Sequence, residues 1–179
     1  MWKNVVLLII VGFILMLGCS GSTDQSRVSS ILRNTAYWAK TADAEFKASM
    51  DSIDSLQAGR PMYQVADLLK QHYEQLDQST RQIARPYEHE VKEIKNAKAR
   101  DLMRKGVESF HLVYDQKRTF VGEAQAALNQ NDTNGFLTAA KKHAGNSRTE
   151  MAKLMVGISF FYEAKKALGM PLTVDEFKQ

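Results

Sequence analysis

Residues 24–57 read DQSRVSSILRNTAYWAKTADAEFKASMDSIDSLQ, and the spacing of their apolar and small members decides the fold. Val28, Leu32, Thr35, Ala39, Ala42, Phe46, Ser49, Ile53 and Leu56 follow one another at alternating steps of four and three. Side chains at those steps share one stripe of an α-helix, so the segment is predicted to be one long amphipathic helix, from about Asp24 to Gln57. Gly59 past its end and Pro61 in the first turn of the next element punctuate it, because glycine tolerates a left-handed cap and a helix start needs no amide donor.

The device repeats along the chain. Met62, Val65, Leu69, His72, Leu76, Ser79 and Ile83 mark a second helix, which Pro86 interrupts by removing a backbone donor and disfavouring helix at Arg85. A third helix is predicted from about Pro86 to Leu128, with Val107, Phe110, Tyr114, Lys117, Val121, Ala124 and Leu128 on its seam. The polar stretch 129–135 reads as a loop. A fourth helix, about Asn134 to Leu168, carries Ala140, Ala144, Ser147, Met151, Leu154, Ile158, Phe161, Lys165 and Leu168, and is stopped by Gly169 and Pro171.

Four seams joined by short connections predict an all-α, elongated antiparallel four-helix bundle over residues 26–168, followed by a tail over 169–179. The alternative is two helical hairpins joined by a long helix kinked at Pro86. In an up-down-up-down bundle, the Pro86 junction and the tail share one end with the start of the first helix. Thr173 and Glu176 around Val174 and Phe177 have the spacing of a capping box, so the tail is expected to form one docking turn.

Ahead of the bundle, Lys3 precedes thirteen apolar or Gly residues, Val5 to Leu17, and then Gly18, Cys19 and Ser20. A positive start, a short apolar core and a small residue before the cut form the layout of a secretory signal. The core is short for a span, which needs ~20 apolar residues. Leu15, Met16, Leu17, Gly18 and Cys19 resemble the lipobox of bacterial lipoproteins, and the resemblance covers only this amino-terminal stretch. It implies that residues 1–18 are removed and that Cys19 carries the acyl chains, with residues 19–25 as a lipidated tether. In a Gram-negative host, Ser20 after the cysteine implies sorting to the outer membrane, facing the periplasm. An uncleaved signal anchor or an ordinary signal peptide are the other readings of this layout. With residues 20–25 reaching about 20 Å at most, the first helix would begin close to the lipid headgroups.

Composition narrows the chemistry. The 179 residues carry 24 Lys and Arg against 20 Asp and Glu, a formal charge of +4 that is too small to argue for nucleic acid. Cys19 is the only cysteine, so there is no internal disulfide and, once lipidated, no thiol nucleophile or Cys-based metal site. Glu108 and His111 make a single Glu-x-x-His, whereas a di-metal bundle needs two such pairs and two further carboxylates, so no metal is assigned. His72 sits on an apolar seam, where a hydrogen-bonded core histidine is the default. Met151 and Met155, one turn apart, read as core filler rather than a copper site. No phosphate-binding glycine loop, zinc spacing or nucleophile with a base occurs, and no catalytic residue or cofactor is expected.

Two surfaces remain as candidates. Residues 154–162, LMVGISFFY, are apolar or small all round, which makes the fourth helix either the most buried of the bundle or shared with a partner; Met155, Phe160 and Tyr162 are the candidate partner or ligand face. Lys95, Lys98, Arg100, Arg104 and Lys105 form the basic half of a charged run that would otherwise be a solvated, ion-paired face, and near the tether they could meet anionic headgroups. The expectation is a non-enzymatic, membrane-tethered adaptor or accessory subunit that meets another protein or a second copy of itself. The alternatives are a bundle that binds a small apolar ligand and an exclusion or immunity lipoprotein.

Overall fold

In a computed structural model of the chain, the backbone is described for residues 2–172 and the side chains for residues 23–172 except Glu88. The architecture is an all-α four-helix bundle, with no strand among the described residues. Its helices are α1 (Trp2–Asp54), α2 (Met62–Glu88), α3 (Ala97–Asn129) and α4 (Thr133–Ala167), with a short 3₁₀ turn at Val91–Glu93 between α2 and α3. Successive helices run antiparallel and pack in chain order; α3 and α4 are in the most extensive contact, and α1 meets α4 only sparsely.

Three of the helices end on one motif. At Gly59 (φ +86°), Asn131 (φ +53°) and Gly169 (φ +64°) the chain turns left-handed. The following amide then reaches back five residues: Arg60 N to Ser55 O at 3.1 Å, Asp132 N to Ala127 O at 2.8 Å and Met170 N to Lys165 O at 3.0 Å. This satisfies carbonyls that a helix end leaves orphaned. Asp132 then caps α4, its Oδ1 accepting from Gly135 N at 2.9 Å, and a side chain at Gly135 would collide with that carboxylate.

The expected boundary at Pro86 is corrected. Pro86 lies buried inside α2, which runs two residues further, and α3 begins only at Ala97, so neither a helix starting at Pro86 nor one long helix kinked there is formed. A proline near a helix end forfeits one hydrogen bond in a turn about to fray, which costs far less than in the interior. The break falls instead at 89–96, where Val91 and Ile94 drop into the core and Asn96 caps α3 by accepting from Ala99 N at 2.9 Å.

That junction is tied to the first helix. The buried Asp24 carboxylate accepts from Lys95 N at 3.0 Å and Asn96 N at 2.9 Å, and Arg27 pairs with Glu93 at 2.9 Å. Gln25 donates to Leu168 O at 2.9 Å. The start of the described part of α1, the 89–96 junction and the end of α4 therefore share one end of the bundle, and the Gly59 and Asn131 turns occupy the other.

The α1 and α2 seams face inward as their spacing requires: Val28, Leu32, Ala42, Val65, Leu69, Leu76 and Ile83 are buried. On α4 the inward face is displaced from the expected one. Ala144, Ser147 and Met151 are exposed, while Ala139, Glu150, Gly157, Phe161 and Ala164 are buried. Two reciprocal glycine and phenylalanine contacts set this register. A Cβ on Gly106 of α3 would penetrate the ring of Phe161, and one on Gly157 of α4 would lie 2.9 Å from the ring of Phe110. Those two rings pack on each other with centroids 5.5 Å apart. Each helix thus supplies a hole for the other's knob, and α4 rotates to use it.

Candidate functional site

The rotation of α4 decides what the bundle shows to its surroundings. At 3.6 residues per turn, the face opposite Glu150, Gly157 and Phe161 carries Arg148, Met151, Met155, Ser159 and Tyr162. Met151 is 68% exposed, Met155 59% and Val156 48%, so methionines read as core filler lie on the surface. Leu112 of α3 is similarly exposed. The structure brings Met155 and Tyr162 to one face, seven residues apart, but not Phe160. Phe160 is half-buried on the flank toward α3, with Lys105 Nζ 6.0 Å from its ring centroid.

The basic run divides into two groups. Arg104 and Lys105 clasp Asp101 at 3.1 and 2.7 Å, and Arg104 also reaches Glu108 at 3.6 Å. Hydrogen bonds from Lys105 and Arg104 hold the Asp101 carboxyl below its ordinary range. Their charge is largely compensated. Lys95 and Lys98 are exposed with no ion pair among the described residues, and Arg100 spends one donor on Ile94 O at 3.3 Å. Lys92, which the sequence did not single out for this role, joins them at the end of the bundle where the junction meets Asp24 and Arg27.

Glu108 is exposed and ion-paired to Arg104, while His111 is half-buried beside it. His72 is hydrogen-bonded through Nδ1 to Glu45 Oε2 at 2.9 Å, across α1 and α2. Among the described residues no group of three or more His, Cys, Asp and Glu could hold a metal ion, and no helix is long and apolar enough to cross a membrane. The Cys19 side chain and the capping box at Thr173 lie outside the described residues.

One polar cluster was only partly legible in the seams, which held Tyr114 and Lys117 but not Asp43, His143 or Glu150. Asp43 of α1 accepts from the Tyr114 hydroxyl at 2.9 Å and from Lys117 Nζ at 2.6 Å, both on α3. Burial first, and then the Asp43 charge and hydrogen bond, push the Tyr114 phenol far above its ordinary value. Lys117 also lies 5.1 Å from the Phe46 ring centroid. On α4, His143 stacks on Phe120 with centroids 4.5 Å apart, and its Nδ1 lies 3.8 Å from Glu150 Oε1. That is too long for a hydrogen bond, and both atoms are buried without a partner. Burial, with Lys117 acting in the same direction, lowers the His143 pKa against the opposing pull of Glu150. The seven-residue step from His143 to Glu150 was the available signal, but polar residues are discounted when a helix face is chosen by hydrophobicity. The cluster holds protons and positions charge, and it contains no nucleophile paired with a base. The chain matches no protein-family model, no curated protein and no solved structure.

Proposed function

We propose that this protein is a lipid-anchored helical protein of the bacterial envelope, held by acyl chains on Cys19, which acts without catalysis as an adaptor or accessory subunit through the outer face of α4. The observation that carries the reading is the exposure of Met151 and Met155, one turn apart on a helix whose other side is already closely packed against α3. Contiguous exposed apolar side chains on a folded domain mark contact sites, and methionine adapts to a partner because its unbranched thioether side chain repacks easily. The anchor rests on the lipobox-like sequence and is supported by the gathering of the described start of α1, the junction and Lys92, Lys95 and Lys98 at one end. Anionic headgroups would attract those lysines by about 1 kcal/mol each near the surface.

A photo-crosslinking residue placed at position 151 or 155 of the full chain in its native envelope tests the face. One discrete protein adduct is expected, and that formed from position 151 is lost in Met155→Glu with helicity unchanged. Absence of any adduct from both positions, with the protein correctly localised, overturns the adaptor reading. Cys19→Ser is expected to release the chain into the aqueous fraction, and retention on the membrane overturns the anchor.

A further inference from the structure

At the junction end, two concavities open on either side of Tyr87 near the end of α2, which is itself 39% exposed. One, of about 360 Å³, is lined by Lys92, Arg100 and Arg104, with Asp101 as its acidic member. The other, of about 270 Å³, is lined by Ala84, Val107 and Leu112, with Glu108 and His111 at its polar side. Tyr87 lines both. The Arg104 charge is already shared with Asp101 and Glu108, so among the described residues the positive charge of the first concavity that lacks an ion pair comes from Lys92 and Arg100. A cationic hollow and an apolar hollow that share one aromatic ring have together the polarity of a molecule with an anionic head and a hydrocarbon tail. At about 270 Å³ the apolar hollow is smaller than the ~300–1,000 Å³ of whole ligand sites, so it has room for part of one chain and not for two.

We infer that the two hollows form one site for a phosphate-bearing single-chain amphiphile, a lysophospholipid. Its phosphate meets Lys92 and Arg100, and its tail lies along Ala84 and Leu112 beside Tyr87, over the buried Val107. Guanidinium and ammonium groups pair with phosphate through charge-assisted hydrogen bonds, and each tail methylene removed from water adds to affinity, so the two hollows act together. This inference uses no residue of the α4 face and does not rest on the adaptor reading.

The test uses the full chain in vesicles of neutral phosphatidylcholine and, as probe, lysophosphatidylglycerol with a photoreactive group in its acyl chain. Labelling is expected within residues 84–112, competed by unlabelled lysophosphatidylglycerol and untouched by inorganic phosphate at equal concentration. Lys92→Gln with Arg100→Gln, at two exposed positions and with helicity checked to be unchanged, should reduce labelling by about tenfold. Leu112→Glu should abolish it, and Met155→Glu should leave it unchanged. Labelling outside residues 84–112, indifference to the Lys92 and Arg100 changes, or equal protection by inorganic phosphate would each overturn the site; the last would show an anion site with no place for a tail. Labelling that requires an anionic bilayer would equally overturn it in favour of general surface adsorption.

Discussion

Gly157→Ala tests the close approach of α3 and α4 because its two energetic consequences have opposite signs. Alanine in a helix interior is favoured over glycine by about 1 kcal/mol. Against that, the new methyl carbon would lie 2.9 Å from Phe110 Cδ2 and 3.1 Å from Ser109 Cβ. The Phe110 ring cannot swing away, since it is buried and packed against Phe161, and Ser109 Cβ moves only with the α3 backbone. Forcing an extra methyl into such a place costs about 1–3 kcal/mol, so the net effect is a loss of about 1 kcal/mol. For a chain of this size that lowers the melting temperature by about 2–4 °C. Gly145 is the internal control, lying in the same helix with nothing within 4 Å of its Cβ position. Gly145→Ala should raise the melting temperature by a similar amount, because only the helix preference acts. Thermal melts of both variants in mild detergent, followed at 222 nm, decide the matter. If Gly157→Ala is stabilised as much as Gly145→Ala, the interlocked packing described for these helices is wrong.

Further outcomes follow from the junction, the cluster and the caps. Asp24→Ala removes the acceptor of the Lys95 and Asn96 amides and should cost about 1–2 kcal/mol, with faster hydrogen exchange at those two amides; unchanged exchange would refute the tie. The lowered His143 pKa means that the folded chain holds the ring neutral, while the unfolded chain takes up a proton as pH falls below 6.5. Its contribution to stability is therefore complete above that pH and lost below it, and His143→Phe should flatten the fall of melting temperature between neutral and mildly acidic pH. An unchanged slope would remove His143 as a cause. Asn131→Gly relieves a left-handed residue of its Cβ and should raise stability by a few tenths of a kcal/mol in a chemical melt, whereas a loss would mean that the Asn side chain holds the turn.

The lesson of the helix seams differs from one helix to the next. In α1 and α2 the aliphatic residues of the seam are buried or half-buried, although Tyr37 and Tyr63 off the seam are exposed, so a step of four and three was enough to find Val28, Leu32, Val65, Leu69 and Leu76. In α4 the same rule selected Met151 and missed Glu150, because two interlocking pairs of glycine and phenylalanine outweighed the hydrophobicity of individual positions. Pro86 misled for a related reason. A proline warns of a nearby helix end, but where the chain leaves the helix was decided three residues later, by Val91 and Ile94 reaching the core and Asp24 capturing the amides beside them.

By itself, the order of residues determined four helices, where α1, α3 and α4 end, and their antiparallel course, because helical periodicity and the left-handed turns at Gly59 and Gly169 are local properties of the chain; it did not determine where α1 and α3 begin. The rotation of α4, the exposure of its methionines, the assembly of Asp43, Tyr114, Lys117 and His143, and the paired hollows beside Tyr87 were decided only in the folded molecule. Each depends on which side chain finds a complementary space or charge on a helix distant in sequence, and that choice is made by packing density and burial across the whole bundle rather than by any local pattern.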